Sequence, residues 1–151
     1  MAKRRTDGVP RLGGVTLLAK GLAHPIRLRL LAMLASGELC VCQMTAVVGL
    51  AASTVSRHLA VLAQGGLVAE RKEGKLVFYR PREEGAAATL QPILLAELAD
   101  DPRVRADRDE VARLREVPIA TLCAADLDLV SIGVRPAGPD TAPTAPRGAR
   151  G

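Results

Sequence analysis

Two short apolar helical segments joined at a glycine, followed at once by two Val-, Leu- and aromatic-rich runs around Glu73-Gly74, predict a mainly α fold with one small β-hairpin, a winged helix-turn-helix. The chain has 151 residues and a mass of 15.8 kDa, enough for one domain and a tail. On this reading residues 11–134 form the folded unit. Residues 1–10 are a disordered basic arm without apolar periodicity, and residues 135–151 are a disordered tail of Pro, Ala, Gly and Thr. No internal repeat is visible.

The elements follow in order. A first helix covers residues 13–21. His24 and Pro25 open a second, since proline is tolerated in a first turn where its missing N–H is not needed; Ile26, Leu30, Leu31 and Leu34 give it one apolar face, and Gly37 closes it. The next helix spans residues 40–48 and stops at Gly49; another spans 52–64 and stops at Gly65-Gly66. Residues 67–72 and 75–80 pair as the hairpin around Glu73-Gly74. Residues 85–99 are Ala- and Leu-rich, with Pro92 placed in a first turn so that the regular helix begins near residue 90. Asp101-Pro102 breaks the pattern, residues 103–116 resume it, and "VPIATLCAADLDLV" carries a last apolar segment.

Composition narrows the function. Aromatic residues amount to 1%, only Phe78 and Tyr79, too few for the stacked-base surface that single-stranded nucleic acid requires. The formal charge is +5, and residues 51–82 hold six cations (Arg57, Arg71, Lys72, Lys75, Arg80 and Arg82) against Glu70 and Glu73. No apolar run reaches the roughly 20 residues of a membrane span, and the basic start lacks a signal core, so a cytoplasmic protein is expected. An odd number of cysteines, three, argues for thiols that bind, react or pack and against a disulfide framework.

On the helix of residues 52–64, Val55, Leu59 and Leu62 fall on one stripe. Ser53, Thr54, Ser56, Arg57 and Gln64 are left to face a duplex: Arg can take guanine O6 and N7, and hydroxyls reach bases or phosphates. His58 flanks the buried stripe, which suits packing or a phosphate contact better than metal ligation. In the hairpin, Arg71, Lys72 and Lys75 are placed to follow phosphates or enter the minor groove. The expected partner is double-stranded operator DNA.

Residues 22–81 resemble the core of the ArsR/SmtB family of metal-sensing repressors, with "STVSRHLAVLAQGGLV" similar to its recognition helix and "RKEGKLVFYR" to its wing. The resemblance covers less than half of the chain. It implies a homodimer built on the first and last helices, which binds its operator in the metal-free form and leaves it on binding metal. "ELCVC" resembles the arsenic- and antimony-sensing branch, which implies As(III) or Sb(III) as effector, no organic cofactor and arsenical resistance as the context.

Trivalent arsenic is thiophilic and takes three thiolates. Cys40 and Cys42 stand at i and i+2, about 200° apart on an α-helix, so the reading requires the helix start to be frayed or unwound for one ion to hold both. In the arsenic sensors a third cysteine lies three residues on; here that position is Thr45. Cys123 is the remaining thiol and the expected third ligand, from the same subunit or its partner; the alternative is packing among Leu122, Leu127 and Val130. Cadmium, lead or mercury also accept three thiolates, and the same thiols suit a redox switch. Zinc- and nickel-type sites, built on His and carboxylates, are disfavoured with only His24 and His58 present. A thiol reductase lacks a Cys-X-X-Cys motif and any supporting site, so an enzyme is not expected.

Overall fold

The computed structural model describes residues 11–136. Seven helices and three strands run in the order α1 Arg11–Leu22, α2 Pro25–Leu34, β1 Leu39–Cys40, α3 Val41–Val48, α4 Ala52–Gln64, β2 Val68–Glu73, β3 Leu76–Pro81, α5 Gly85–Leu98, α6 Pro102–Arg115 and α7 Ile119–Ala124. The sheet is antiparallel in the order β1-β3-β2. The arrangement is the expected winged helix-turn-helix, carrying two further helices after α5.

Local chemistry sets the boundaries. His24 caps α2, its Nδ1 accepting from the Ile26 amide at 3.1 Å. Gly49 ends α3 in the left-handed conformation that a side chain would resist. The chain bends by 114° between α3 and α4, within the range of about 90–120° expected of a helix-turn-helix. Leu30, Leu34, Met44, Val55, Leu59 and Leu62 are wholly enclosed between α2, α3 and α4. Helix α1 crosses the end of α4 so closely that a Cβ on Gly65 would lie 2.8 Å from the Leu17 carbonyl oxygen.

Four expectations are corrected. Strand β1 was not foreseen, because two residues cannot show a period of two. The hairpin is shifted by one residue: Glu73 pairs with Leu76, and the turn is Gly74-Lys75. Only Gly74 there adopts positive φ, matching the first central position of a type II′ turn, while Leu67 is drawn into the core ahead of the strand. Helix α5 runs unbroken through Pro92 from Gly85. Ala86, Ala87 and Ala88 are strong helix formers, and Ala88, four residues before the proline, is exposed, so water can reach the carbonyl left without an amide.

The last correction concerns the tail expected from residue 135. Arg135 is anchored: its guanidinium spans Glu110 at 2.7 and 2.9 Å, and its amide donates to the Leu129 carbonyl at 2.9 Å. The predicted arm and the remainder of the tail lie outside the described residues. Helix α6, capped by Asp101, packs against α2 and α3 through Val111 and Leu114. On the same face Asp107 takes both ends of the Arg29 fork, at 2.7 and 2.8 Å, with both side chains nearly buried. Asp107→Ala leaves that guanidinium without its partner, and the expected loss is about 3 kcal/mol in urea denaturation; a loss under about 1 kcal/mol would reduce the pair to an ordinary surface bridge.

Candidate functional site

The cysteines sit where a strand becomes a helix. Cys40 is the last residue of β1 and the N-cap of α3, with φ −72° and ψ 146°, and it pairs with Phe78 of β3. Cys42 is the second residue of α3. Because Cys40 is extended, the angular argument for two positions of one helix does not apply. Its sulfur accepts the Cys42 thiol proton at 2.8 Å, so the two meet without any unwinding, which corrects the expectation of a frayed helix start.

This junction also sets the proton balance. The Cys42 thiol, followed by the backbone N–H groups of Cys42, Val77 and Gln43, holds the Cys40 sulfur as thiolate, and its pKa is lowered to about 6 against the opposition of burial. The Gln43 side chain completes the cap by accepting from the Cys40 amide at 2.9 Å. Cys42 moves the other way: its proton is held first by Cys40, then by burial and the Cys40 charge, and Cys123 adds to the same effect. Cys123 is exposed on α7, the helix that packs on α3.

The donor set fits a thiophilic centre in its chemistry, with two sulfurs adjacent and a third on the neighbouring helix α7. Among the described residues, however, no three His, Cys, Asp or Glu side chains are close enough to enclose a metal ion. A three-sulfur site thus needs Cys123 to come closer to the pair. One turn beyond Cys42, Thr45 is buried and its Oγ1 has no hydrogen-bond partner among the described residues.

The residues expected to face DNA divide into two groups. Ser53, Ser56, Arg57 and Gln64 are exposed on α4, Thr54 is half-buried, and Lys72 and Lys75 are exposed on the wing. Arg71 is already engaged: it binds Glu38 at 2.6 Å and Glu73 at 2.7 Å, and its guanidinium lies 4.5 Å from the Phe78 ring centroid. It clasps the segment before β1 to the wing. His58 packs inward, 4.5 Å from the His24 ring, with Arg27 Nη1 3.3 Å from its Nδ1. Burial, then His24, Arg27 and Arg57, lower its pKa. Sequence reasoning missed Gln43 and Phe78 as parts of the thiol site; only the capping pattern of Gln43 three residues after Cys40 was there to find.

A family model described as "Bacterial regulatory protein, arsR family" matches residues 24–70. The Biofilm growth-associated repressor of Agrobacterium fabrum is 39% identical over 93 residues, which are 62% of this chain and 74% of that protein. The chain belongs to the arsR family of bacterial regulatory proteins. The Arsenical resistance operon repressor of Escherichia coli K12 is 44% identical over 64 residues, 42% of this chain and 55% of that one. Among solved structures, HlyU from Vibrio cholerae matches with a TM-score of 0.53 at 31% identity, covering 59% of this chain and 96% of its own. The homodimeric winged helix-turn-helix DNA-binding domain Mb0332 from Mycobacterium bovis matches with a TM-score of 0.53 at 30% identity, covering 68% and 94%. These similarities establish a transcriptional regulator whose winged helix-turn-helix is the DNA-binding element. Among the described residues no single helix is long and apolar enough to cross a membrane.

The thiolate is directly measurable. Ultraviolet thiolate absorbance of the reduced protein should fall as pH is lowered through about 6, because the depressed group holds its charge above that value and loses it below. In Cys42→Ala the transition should move up toward the ordinary thiol range; an unmoved midpoint would remove the Cys42 hydrogen bond as its main cause.

Proposed function

We propose that the protein is a homodimeric repressor that binds operator DNA in the metal-free, reduced form and dissociates when As(III) or Sb(III) binds Cys40, Cys42 and Cys123. The observation that carries this reading is the 2.8 Å approach of the two sulfurs at the start of α3, with Cys123 on the helix packed against it. Thiolate character on Cys40 supplies the nucleophile that such a centre binds. That the relatives in Agrobacterium and Escherichia coli are repressors, the latter of arsenical resistance, supports the sign of regulation and the effector.

Transmission is short. Helix α3 packs on α4 through the enclosed core, and α7 packs on α3. Drawing Cys123 toward Cys42 pulls on the first helix of the helix-turn-helix and so on α4. On the DNA side, Arg57, Ser53, Ser56 and Gln64 read the major groove while Lys72 and Lys75 neutralise phosphates. Homodimer formation has its own support: Leu12 and Val15 on α1 are 81% and 62% exposed, and Ile93 on α5 is 59% exposed.

A second reading, oxidation of the same thiols, is favoured by the thiolate of Cys40 next to a second sulfur. Fluorescence anisotropy on the protein's own promoter separates the two. Arsenite should release the reduced wild type, while Cys40→Ser, Cys42→Ser and Cys123→Ser bind DNA and resist release; release by peroxide alone, reversed by a reductant, would favour the redox switch. Arg57→Ala should cost about 1–3 kcal/mol on the operator and relax specificity, whereas Lys75→Ala should weaken all sequences alike and flatten the salt dependence.

A further inference from the structure

A wing that binds a polyanion carries two carboxylates on one of its own cations. All three guanidinium nitrogens of Arg71 are occupied: Nε lies 3.2 Å from both Glu38 oxygens, Nη2 donates to Glu38 at 2.6 Å and Nη1 to Glu73 at 2.7 Å. One positive charge thus faces two negative ones, and the cluster as a whole has no attraction for a phosphate. Arg71 and Glu73 stand on one face of β2 and Lys72 on the other, because side chains alternate along a strand. The cluster and the exposed lysine are therefore separate devices.

The cluster is anchored from outside the winged helix. Glu38 lies in the segment between α2 and β1, and Arg115, at the C-terminal end of α6, grips that segment twice. Its Nη2 donates to Ser36 Oγ at 3.0 Å and its Nη1 to the Glu38 carbonyl at 3.3 Å. Ser36 Oγ in turn donates to the Met33 carbonyl of α2 at 2.9 Å. Between the two gripped residues Gly37 has φ 122°, a conformation that side chains resist. Helix α6 is itself packed on α2 and α3. A continuous line of contacts then runs from α6 through Arg115, Glu38 and Arg71 to the wing tip at Glu73.

We propose that Arg115, Glu38 and Arg71 form a relay by which α6 holds the wing in place for DNA, with Arg71 a positioning residue and not a phosphate contact. A two-stranded hairpin is marginally stable alone, and the outer part of this one, from Glu70 to Lys75, is exposed. Held at its base by the relay, it presents Lys72 and Lys75 in one arrangement, so less ordering is left to be done on binding. This rests on the DNA-binding reading of the wing above and assigns its support to the C-terminal helix.

The test is anisotropy of the full-length reduced protein on promoter DNA over a series of salt concentrations, without effector. Lys75→Ala is the reference for a phosphate contact and should flatten the salt dependence. Arg71→Lys keeps the charge but loses the fork that spans two carboxylates. It should weaken binding about fivefold with the salt dependence unchanged, and Glu38→Gln and Arg115→Gln should do the same. Arg71→Lys combined with Glu38→Gln should be no weaker than either alone. The Gly74 amide should become more mobile in each variant by heteronuclear NMR relaxation. Arg71 and Arg115 are exposed and Glu38 half-buried, so urea denaturation should report folded proteins throughout. Wild-type affinity in Arg71→Lys, tighter binding in Glu38→Gln, a flattened salt dependence in either, or an unmoved Gly74 would each overturn the relay while the Lys75→Ala effect kept the wing on DNA. If Lys75→Ala changed neither affinity nor salt dependence, the wing's DNA role would fall, and the relay with it.

Discussion

The pairing of two residues, Leu39 and Cys40, onto β3 is the constraint on which the sulfur pair depends. It holds Cys40 in extended backbone immediately before α3, and this alone brings its sulfur to that of Cys42. Had the helix begun one turn earlier, the same two cysteines would point to different sides. Because β3 is also the inner strand of the wing, the sulfur pair is built from the wing as much as from the helix-turn-helix: the Val77 amide of β3 helps to lower the Cys40 pKa, and Phe78 is its paired residue.

The charged residues around this junction have structural work that their number alone conceals. Arg71 joins Glu38 before β1 to Glu73 at the wing tip and lies over Phe78. Tyr79, buried, donates to Glu70 at 2.8 Å, and burial followed by that carboxylate raises its pKa to about 12, so it stays a neutral donor. Part of the wing's positive charge is therefore compensated within the protein. Lys75 and Lys72 remain exposed for a polyanion, Lys72 with a loose contact to Glu70 at 3.7 Å.

Helices α6 and α7 extend the winged helix into something more particular. The paired Arg29–Asp107 and Arg135–Glu110 contacts hold α6 and the segment after α7 against α2 and α3, with Arg113 donating to the Val134 carbonyl at 3.0 Å. Helix α7, which carries Cys123, thereby packs on α3 from a segment some eighty residues downstream.

Much of this was legible in the sequence. Apolar spacing marked α2, α3 and α4, glycines marked their ends, and Val55, Leu59 and Leu62 are the buried stripe that a period of 3.6 requires. The three thiols could be counted and their softness stated, because composition and short-range periodicity are properties of the chain itself. The relation between those thiols could not be read that way. Whether Cys40 ends a strand or begins a helix depends on β3, nearly forty residues away, and the place of Cys123 depends on the packing of α7 on α3. Those are long-range contacts, formed only when the chain closes on itself, and they decided what the cysteines can do.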